Sequence, residues 1–370
     1  MKCRIPRTKR GAPVVRLALG CTAFVSGLPL ATISAQRTPI AECTPPCPLF
    51  LEIVGTFGDD EGPGIIEGFA WGVRDDSGRT YVASGSYTDI KVYDSEGRFL
   101  NRIGRKGEGP GEFTFISSFL PIGDSIVAVL DRSGRLNFFD PAGGLLRHVW
   151  LPFSPTGNNA VYADGWGLII AADVPTPERA GLPLHLVDLG DGSVDRSFGS
   201  LSGEYRLSDY GRGRRVLAEG PAGAVWAGHA AEYRIELWTP DGLQRSLARD
   251  VPWFPPVTPA TASHGWFERP NSRISSLAAT SSELWVKFNV ADERWDERLS
   301  MREASGSRDS DLFYDTVIEV IDLDELRVVG RARLDEEYGN FIAPGIIGRT
   351  VVTPAGAVRY VLYQITTNPG

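Results

Sequence analysis

Cysteine and histidine are both scarce in this chain, with four of each in 370 residues. If a leader is removed from the N-terminus, Cys43 and Cys47 are the only cysteines that remain. A zinc knuckle needs a second pair of ligands, and no other cysteine supplies one. Because disulfides persist in the oxidising compartments that receive exported proteins, Cys43 and Cys47 are expected to form a local disulfide.

The short motifs of common catalytic sites are also missing. No Gly-x-Ser-x-Gly nucleophile motif occurs in the sequence. The glycine-rich stretch 107–111 is not followed by a helical pattern, which excludes a phosphate-binding loop. The sequence therefore contains no motif that names a reaction.

Positive charge is scarce outside the N-terminus. Residues 1–36 hold six of the 38 basic residues and no acidic one, so the rest of the chain has 32 basic and 46 acidic residues, a net charge of −14. A surface this acidic repels phosphate backbones. No nucleic-acid partner is therefore expected.

The basic N-terminus leads into an apolar run that is typical of export. Residues 17–33 carry no charge and are followed by the small residues Ser34 and Ala35, in the order of a signal peptide and its cleavage site. We expect residues 1–35 to be removed and the mature protein to be periplasmic or extracellular. The alternatives are a retained membrane anchor and lipidation of Cys21, and contact with a membrane is expected only if Cys21 is lipidated.

Internal repeats indicate the fold. The sequence has 42 glycines and 26 prolines, which favour frequent turns and few long helices. A pattern of strand, polar loop, strand and glycine-containing turn occurs at 80–100 and returns at 126–146 and 224–244. The aromatic residues before these turns are 46 and 99 residues apart, about one period and two periods. They are Tyr93, Phe139 and Trp238.

The number of repeats predicts a closed ring of six blades. A weaker unit lies at 168–192, a fifth is split by an insertion, and the sixth, at 345–365, lacks one strand. A strand at 49–57 can complete the sixth unit and leave no free sheet edge in the ring. The predicted organisation is a signal peptide at 1–35, a linker with the cysteine pair at 36–48, an all-β six-bladed propeller at 49–366 and a tail at 367–370.

The residues at the end of the first full unit resemble a known family. The stretch from Gly104 to Phe113 reads Gly-Arg-Lys-Gly-Glu-Gly-Pro-Gly-Glu-Phe. This ending, with the strands of Tyr81 to Asp94 and the turn at Gly97, is similar to the consensus of six-bladed propellers built from NHL-type repeats. That group includes exported bacterial propellers, lactonases, lyases and scaffolds. The resemblance implies the fold and little of the chemistry.

Loop lengths predict where a site lies. Every long insertion falls between the second and third strands of a unit or between units, at 172–183, 199–215, 252–271 and 289–312. In a propeller these connections share one face, and long loops on a rigid scaffold usually carry function. The aromatic 252–271 and the charged 291–312 are expected to form a lid over the channel. The candidate ligand-binding residues of this face are Tyr87, Arg132, Arg135, His185, Arg215, His229, Tyr233, Trp266 and Trp295.

Two functions follow from these candidates. The first is a non-catalytic scaffold, expected to be monomeric, that binds a small molecule or a protein or peptide on the loop-rich face without a cofactor. The alternative is a lactonase-like hydrolase or a lyase that acts at the channel mouth with a divalent cation such as calcium. Glu67 and Asn159 stand where such a cation would be held, but the neighbouring positions do not complete a cage. The arginines of this face either bind an anion or are neutralised by acidic neighbours.

Overall fold

The computed structural model describes residues 37–44, 47–154, 160–172, 174, 176–199, 213–257, 268–298 and 313–367. The predicted signal peptide at 1–35, with Cys21, lies outside the described residues. Six antiparallel sheets follow one another along the described chain, and in each the strands are hydrogen-bonded in simple up-and-down order. We call these sheets blades one to six.

The first three blades are formed entirely by consecutive strands. Blade one contains Ala70–Arg74, Thr80–Ser84, Ile90–Tyr93 and Phe99–Ile103. Blade two contains Ile116–Ile122, Ile126–Asp131, Arg135–Phe139 and Leu145–Trp150. Blade three contains Ala160–Ala163, Gly167–Ala171, Leu184–Val187 and Val194–Phe198. The short strands Arg105–Lys106 and Glu112–Phe113 pair in parallel between blades one and two.

The other three blades include the two chain ends. Blade four contains Arg215–Glu219, Val225–His229, Arg234–Thr239 and Gly242–Ala248, with Arg37–Pro39 added at its edge. Blade five contains Arg273–Ala279, Glu283–Ala291, Tyr314–Asp322 and Arg327–Leu334. Blade six contains Phe341–Ala343, Ile346–Val352, Val358–Thr366 and Phe50–Phe57. A short 3-10 turn spans Pro221–Gly223, and residues 295–298 form one helical turn.

The first strands of the six blades contact one another in sequence, and the first strand of blade six contacts that of blade one. This closed series is the centre of a six-bladed β-propeller, which confirms the predicted fold. Several second and third strands are buried on both faces, as in Thr80–Ser84 and Ile90–Tyr93, because each sheet packs between two others. Outer strands such as Leu145–Trp150 are largely exposed.

Two of the glycine turns that marked the repeats contact the preceding blade. Gly97 and Gly143 lie between the third and fourth strands of blades one and two, with φ of 84° and 93°. A Cβ atom on either would lie 2.7 Å from a backbone carbonyl oxygen of the preceding blade, that of Thr56 and of Arg102 respectively. Only glycine allows both this backbone conformation and this approach. At these two turns the glycine in the sequence therefore indicates contact between blades.

The N-terminal strand closes the ring. Phe50–Phe57 runs antiparallel to Val358–Thr366, with Phe50 opposite Thr366 and Phe57 opposite Tyr360. It forms the outer strand of blade six, as the incomplete sixth repeat predicted. An early strand and the last strand of the described chain are thereby held in one sheet.

The segment at 37–48, which we call the strap, does more than the predicted linker. Its first residues, Arg37–Pro39, pair in parallel with the outer strand of blade four. Ala41 and Pro48 then form parallel bridges to the outer strand of blade five, at Arg327 and Arg331. Cys43 and Cys47 are joined by a disulfide within it, with their Cα atoms 6.2 Å apart. The strap therefore covers the outer edges of two blades.

An ion-pair network fixes the strap. Glu42 pairs with Arg249 after blade four and with Arg331 of blade five, the latter at 2.8 Å. Both arginines also bind the fully buried carboxylate of Glu319, which accepts a further hydrogen bond from the hydroxyl of Tyr233. A buried charge needs such partners, because an unpaired carboxylate loses its hydration without compensation.

The strap and the closing strand should contribute unequally to stability. We expect a chain beginning at residue 49 to remain folded but to be less stable by about a few kcal/mol, because it loses peripheral hydrogen bonds and ion pairs. A chain beginning at residue 58 should aggregate or unfold, because the third strand of blade six becomes a free edge. Thermal unfolding and size-exclusion chromatography of the two chains check this. Equal behaviour of both would contradict the role given to Phe50–Phe57.

Candidate functional site

A polar pocket lies at the channel mouth, on the face of the long loops. The starts of the first strands of blades four and five, the end of the second strand of blade five and residues 337–340 line it. Its cavity volume is about 190 Å³, below the roughly 300–1,000 Å³ of drug-sized ligand sites, so it suits only a small molecule. Phe69, a half-exposed side chain before blade one, contributes its aromatic ring to the rim. We call this space the mouth pocket.

Lys287 reaches the mouth pocket from between two blades. In the strand Glu283–Ala291, side chains alternate between the two faces of the sheet. Leu284, Val286 and Phe288 belong to the apolar cluster shared with blade four, whereas Trp285 packs with residues of blade six. Lys287 lies on the same side of the strand as Trp285. Its side chain is 2% exposed and lines the mouth pocket.

A chain of hydrogen bonds connects this amine to a carboxylate. The Lys287 Nζ atom donates to Asn289 Oδ1 at 2.7 Å, and the Ser275 hydroxyl donates to the same oxygen at 2.7 Å. The Asn289 amide in turn donates to the carboxylate of Glu337. The guanidinium of Arg273 lies 3.8 Å from that carboxylate and 3.3 Å from the Tyr314 hydroxyl. Besides Lys287, four of these polar side chains line the pocket: Arg273, Ser275, Asn289 and Glu337.

The charge of Lys287 is sensitive to pH near neutrality. Burial lowers the pKa of Lys287 to about 7, an effect that the carboxylate of Glu337 opposes and the positive charge of Arg273 increases. Near neutral pH the amine is therefore present in both its charged and its neutral form. The described lining of the pocket contains the cationic residues Arg214, Arg273 and Lys287 and one carboxylate, Glu337. Its local charge is opposite in sign to that of the protein.

A second charged cluster lies in blade four. The two ring nitrogens of His229 lie 3.1 Å from a carboxylate oxygen of Glu232 and 3.2 Å from one of Glu236. The hydrogen bond from His229 lowers the pKa of Glu232 to about 2. Burial lowers the pKa of Arg215 to about 10, and Glu236 opposes that effect. Arg234 contacts both glutamates, so the cluster balances its own charges.

The site residues predicted from the sequence do not form one site in the structure, but lie in separate regions. Tyr87 donates to the carbonyl of Phe69 at 3.1 Å, which places it next to the rim of the mouth pocket. Arg132 is exposed and lies over the ring of Phe115. Arg135 is buried and donates to the carbonyl oxygens of residues 108 and 112, so it holds the loop between blades one and two.

The remaining predicted residues lie within packed regions. His185 is fully buried between Ser197 Oγ at 2.8 Å and the carbonyl oxygen of Ala172 at 3.2 Å. Tyr233 is buried on Glu319, as described above. Trp295 is 4% exposed, and its ring centre lies 6.0 Å from that of Phe313. Trp266 lies outside the described residues.

Sequence reasoning missed the central residues of the mouth pocket. Lys287, Asn289 and Glu337 were not among the candidates, and neither were Arg214 and Arg273. A signal was present, because Lys287 interrupts the apolar stretch Leu-Trp-Val-Lys-Phe in a chain with five lysines and 33 arginines. This signal could not be interpreted from the sequence, because the role of Lys287 depends on Glu337, which lies 50 positions further along the chain.

Two other features bear on the alternatives. Within the described residues, no group of three or more His, Cys, Asp or Glu side chains is arranged to hold a metal ion; Asn159 lies outside this part of the chain. No helix in the described residues is long and apolar enough to cross a membrane.

Comparisons with known proteins agree on the architecture. Residues 72–163 match the family described as DUF5128, 6-bladed beta-propeller. No curated protein sequence matches the chain significantly. One similar structure is a protein of Bacteroides fragilis named as a candidate exported protein, with 11% identity, a TM-score of 0.65 and coverage of 90% of this chain and 100% of that one.

Two further structures complete the comparison. A DUF4221 family member from Bacteroides vulgatus has 12% identity and a TM-score of 0.61, covering 86% of this chain and 99% of that one. Streptogramin B lyase has 11% identity and a TM-score of 0.45, covering 85% of this chain and 98% of that one. At these identities likeness concerns the fold alone, and the last value carries no functional argument. The protein is a six-bladed β-propeller.

Proposed function

We propose that this protein is an exported, non-catalytic propeller that binds a small organic anion in the mouth pocket. The observation that carries the proposal is the convergence of Arg214, Arg273 and Lys287 on a concave site whose described lining contains one carboxylate, that of Glu337. A small ligand is favoured over a peptide partner because these groups line a pocket and not a flat surface. The monomeric state and the NHL-type repeat remain predictions.

Electrostatics support an anion as the ligand. The chain after residue 36 carries a net charge of −14, so a carboxylate ligand is repelled by most of the surface and attracted to the mouth pocket. The guanidinium of Arg273 is about 39% exposed and is held on one side by Glu337. Such a group can form charge-assisted hydrogen bonds with a carboxylate.

The first test is direct binding of a simple carboxylate. We expect lactate to bind in calorimetric titration, and Arg273→Ala to weaken this binding by about 10- to 100-fold, the usual effect of losing a hydrogen bond to a charged group. Arg98→Ala is the matched control, because Arg98 is 75% exposed on a turn of the opposite face. Lack of lactate binding, or equal losses in both variants, would contradict the proposal.

The second test uses pH. Because Lys287 loses its positive charge as the pH rises through about 7, lactate affinity should fall between pH 6 and pH 8, while lactate itself stays ionised. The charged groups that face Lys287 are Arg273 and Glu337. Lys287→Met should bind lactate more weakly and lose most of this pH dependence. If the lactate affinity of Lys287→Met fell with pH as steeply as that of the wild type, another group would be responsible for the pH dependence.

Export is proposed from the N-terminal sequence pattern and fits the disulfide of the strap. Expression of the full chain in an exporting bacterial host should give a periplasmic or secreted protein whose first residue is at or near Gln36. N-terminal sequencing of the purified protein checks this. Cytoplasmic protein that still begins at Met1 would be evidence against export.

A further inference from the structure

Lysine is rare in this protein, and one lysine occupies an unusual place. After residue 36 the sequence contains three lysines, Lys91, Lys106 and Lys287. Lys106 is exposed, and Lys91 is paired with Asp89 at 3.1 Å. Lys287 is buried and lines the mouth pocket. In a chain that otherwise uses arginine for positive charge, this position holds the basic residue that can lose its proton.

The surroundings of Lys287 leave its nitrogen able to react. Among the described residues, Asn289 is its hydrogen-bond acceptor, and no carboxylate lies within ion-pair distance of Nζ. The nearby carboxylate of Glu337 is bound by Asn289 and Arg273 instead. A neutral amine that donates one hydrogen to Asn289 keeps a second hydrogen and its lone pair.

We propose that Lys287 binds the carbonyl carbon of a small 2-oxo acid as a reversible imine, with the acid's carboxylate held by Arg273. This inference rests on the proposed function and names its ligand class. The neutral amine adds to the carbonyl carbon to give a carbinolamine. The two amine hydrogens and the carbonyl oxygen then leave as one water molecule while the C=N bond forms. No oxidant, reductant or metal is consumed.

The electrostatics of the site favour this chemistry. A lysine is nucleophilic only as the free amine, and desolvation or a neighbouring cation increases the fraction of that form. With a pKa of about 7, about half of the Lys287 amine is free at pH 7, against about one part in 3,000 for an ordinary lysine. The same neighbouring cation, Arg273, attracts the ligand carboxylate. Arg273 thus favours both the free amine of Lys287 and the binding of the ligand carboxylate.

The test is reductive trapping with pyruvate. We expect wild-type protein incubated with pyruvate and sodium cyanoborohydride to gain the mass of one reduced adduct, and peptide mapping to place it on Lys287. Lys91→Arg and Lys106→Arg should be labelled like the wild type, and Lys287→Arg should not be labelled at that position. Excess lactate, which has the carboxylate but no carbonyl group, should slow the labelling.

The outcomes separate the imine from anion binding. An adduct confined to Lys106 or to the terminal amine overturns the inference. If calorimetry gives equal affinities for pyruvate and lactate and no adduct forms on Lys287, the imine is excluded while the anion site stands. If neither acid binds, the proposed function fails as well. Because the mapping is done on wild-type protein, these conclusions hold even if Lys287→Arg does not fold.

Discussion

The pairing of Phe50–Phe57 with Val358–Thr366 is the interaction on which the rest of the structure depends. Blades bury their inner strands only because each has a neighbouring blade on both sides. This pairing completes blade six, the last blade of the ring. Blade six has a first strand of only three residues, Phe341–Ala343, so its position depends strongly on its outer strand. The mouth pocket lies beside this blade. Its geometry therefore requires a closed ring.

The contacts between blades five and six change in character along the channel axis. Deeper in the ring they are apolar, as at Trp285 and Phe341, and at the mouth they become the polar group of Lys287, Asn289 and Glu337. The Glu319 network beneath the strap is also polar and buried, but two arginines and a tyrosine hydroxyl satisfy it. A buried amine without a carboxylate partner among the described residues is costly to retain for stability alone, which is why we assign it to ligand binding.

Much of the fold could be predicted from the sequence, and much of the site could not. Turn glycines such as Gly97 and Gly143 recur because a side chain there would meet the backbone of the preceding blade. The missing strand of the sixth repeat pointed to 49–57. The parallel pairing of the strap leaves no local pattern, since its partners in blades four and five are about 200 or more positions away. Likewise, the link from Asn289 to Glu337 exists only when two blades meet.

The most direct measurement is a crystal structure of the mature protein grown with pyruvate. We expect a ligand in the mouth pocket, with its carboxylate beside the guanidinium of Arg273 and its second carbon bonded to Nζ of Lys287. A saturated crystal in which the mouth pocket holds no ligand, or in which pyruvate binds at another surface, would contradict both the anion site and the role of Lys287.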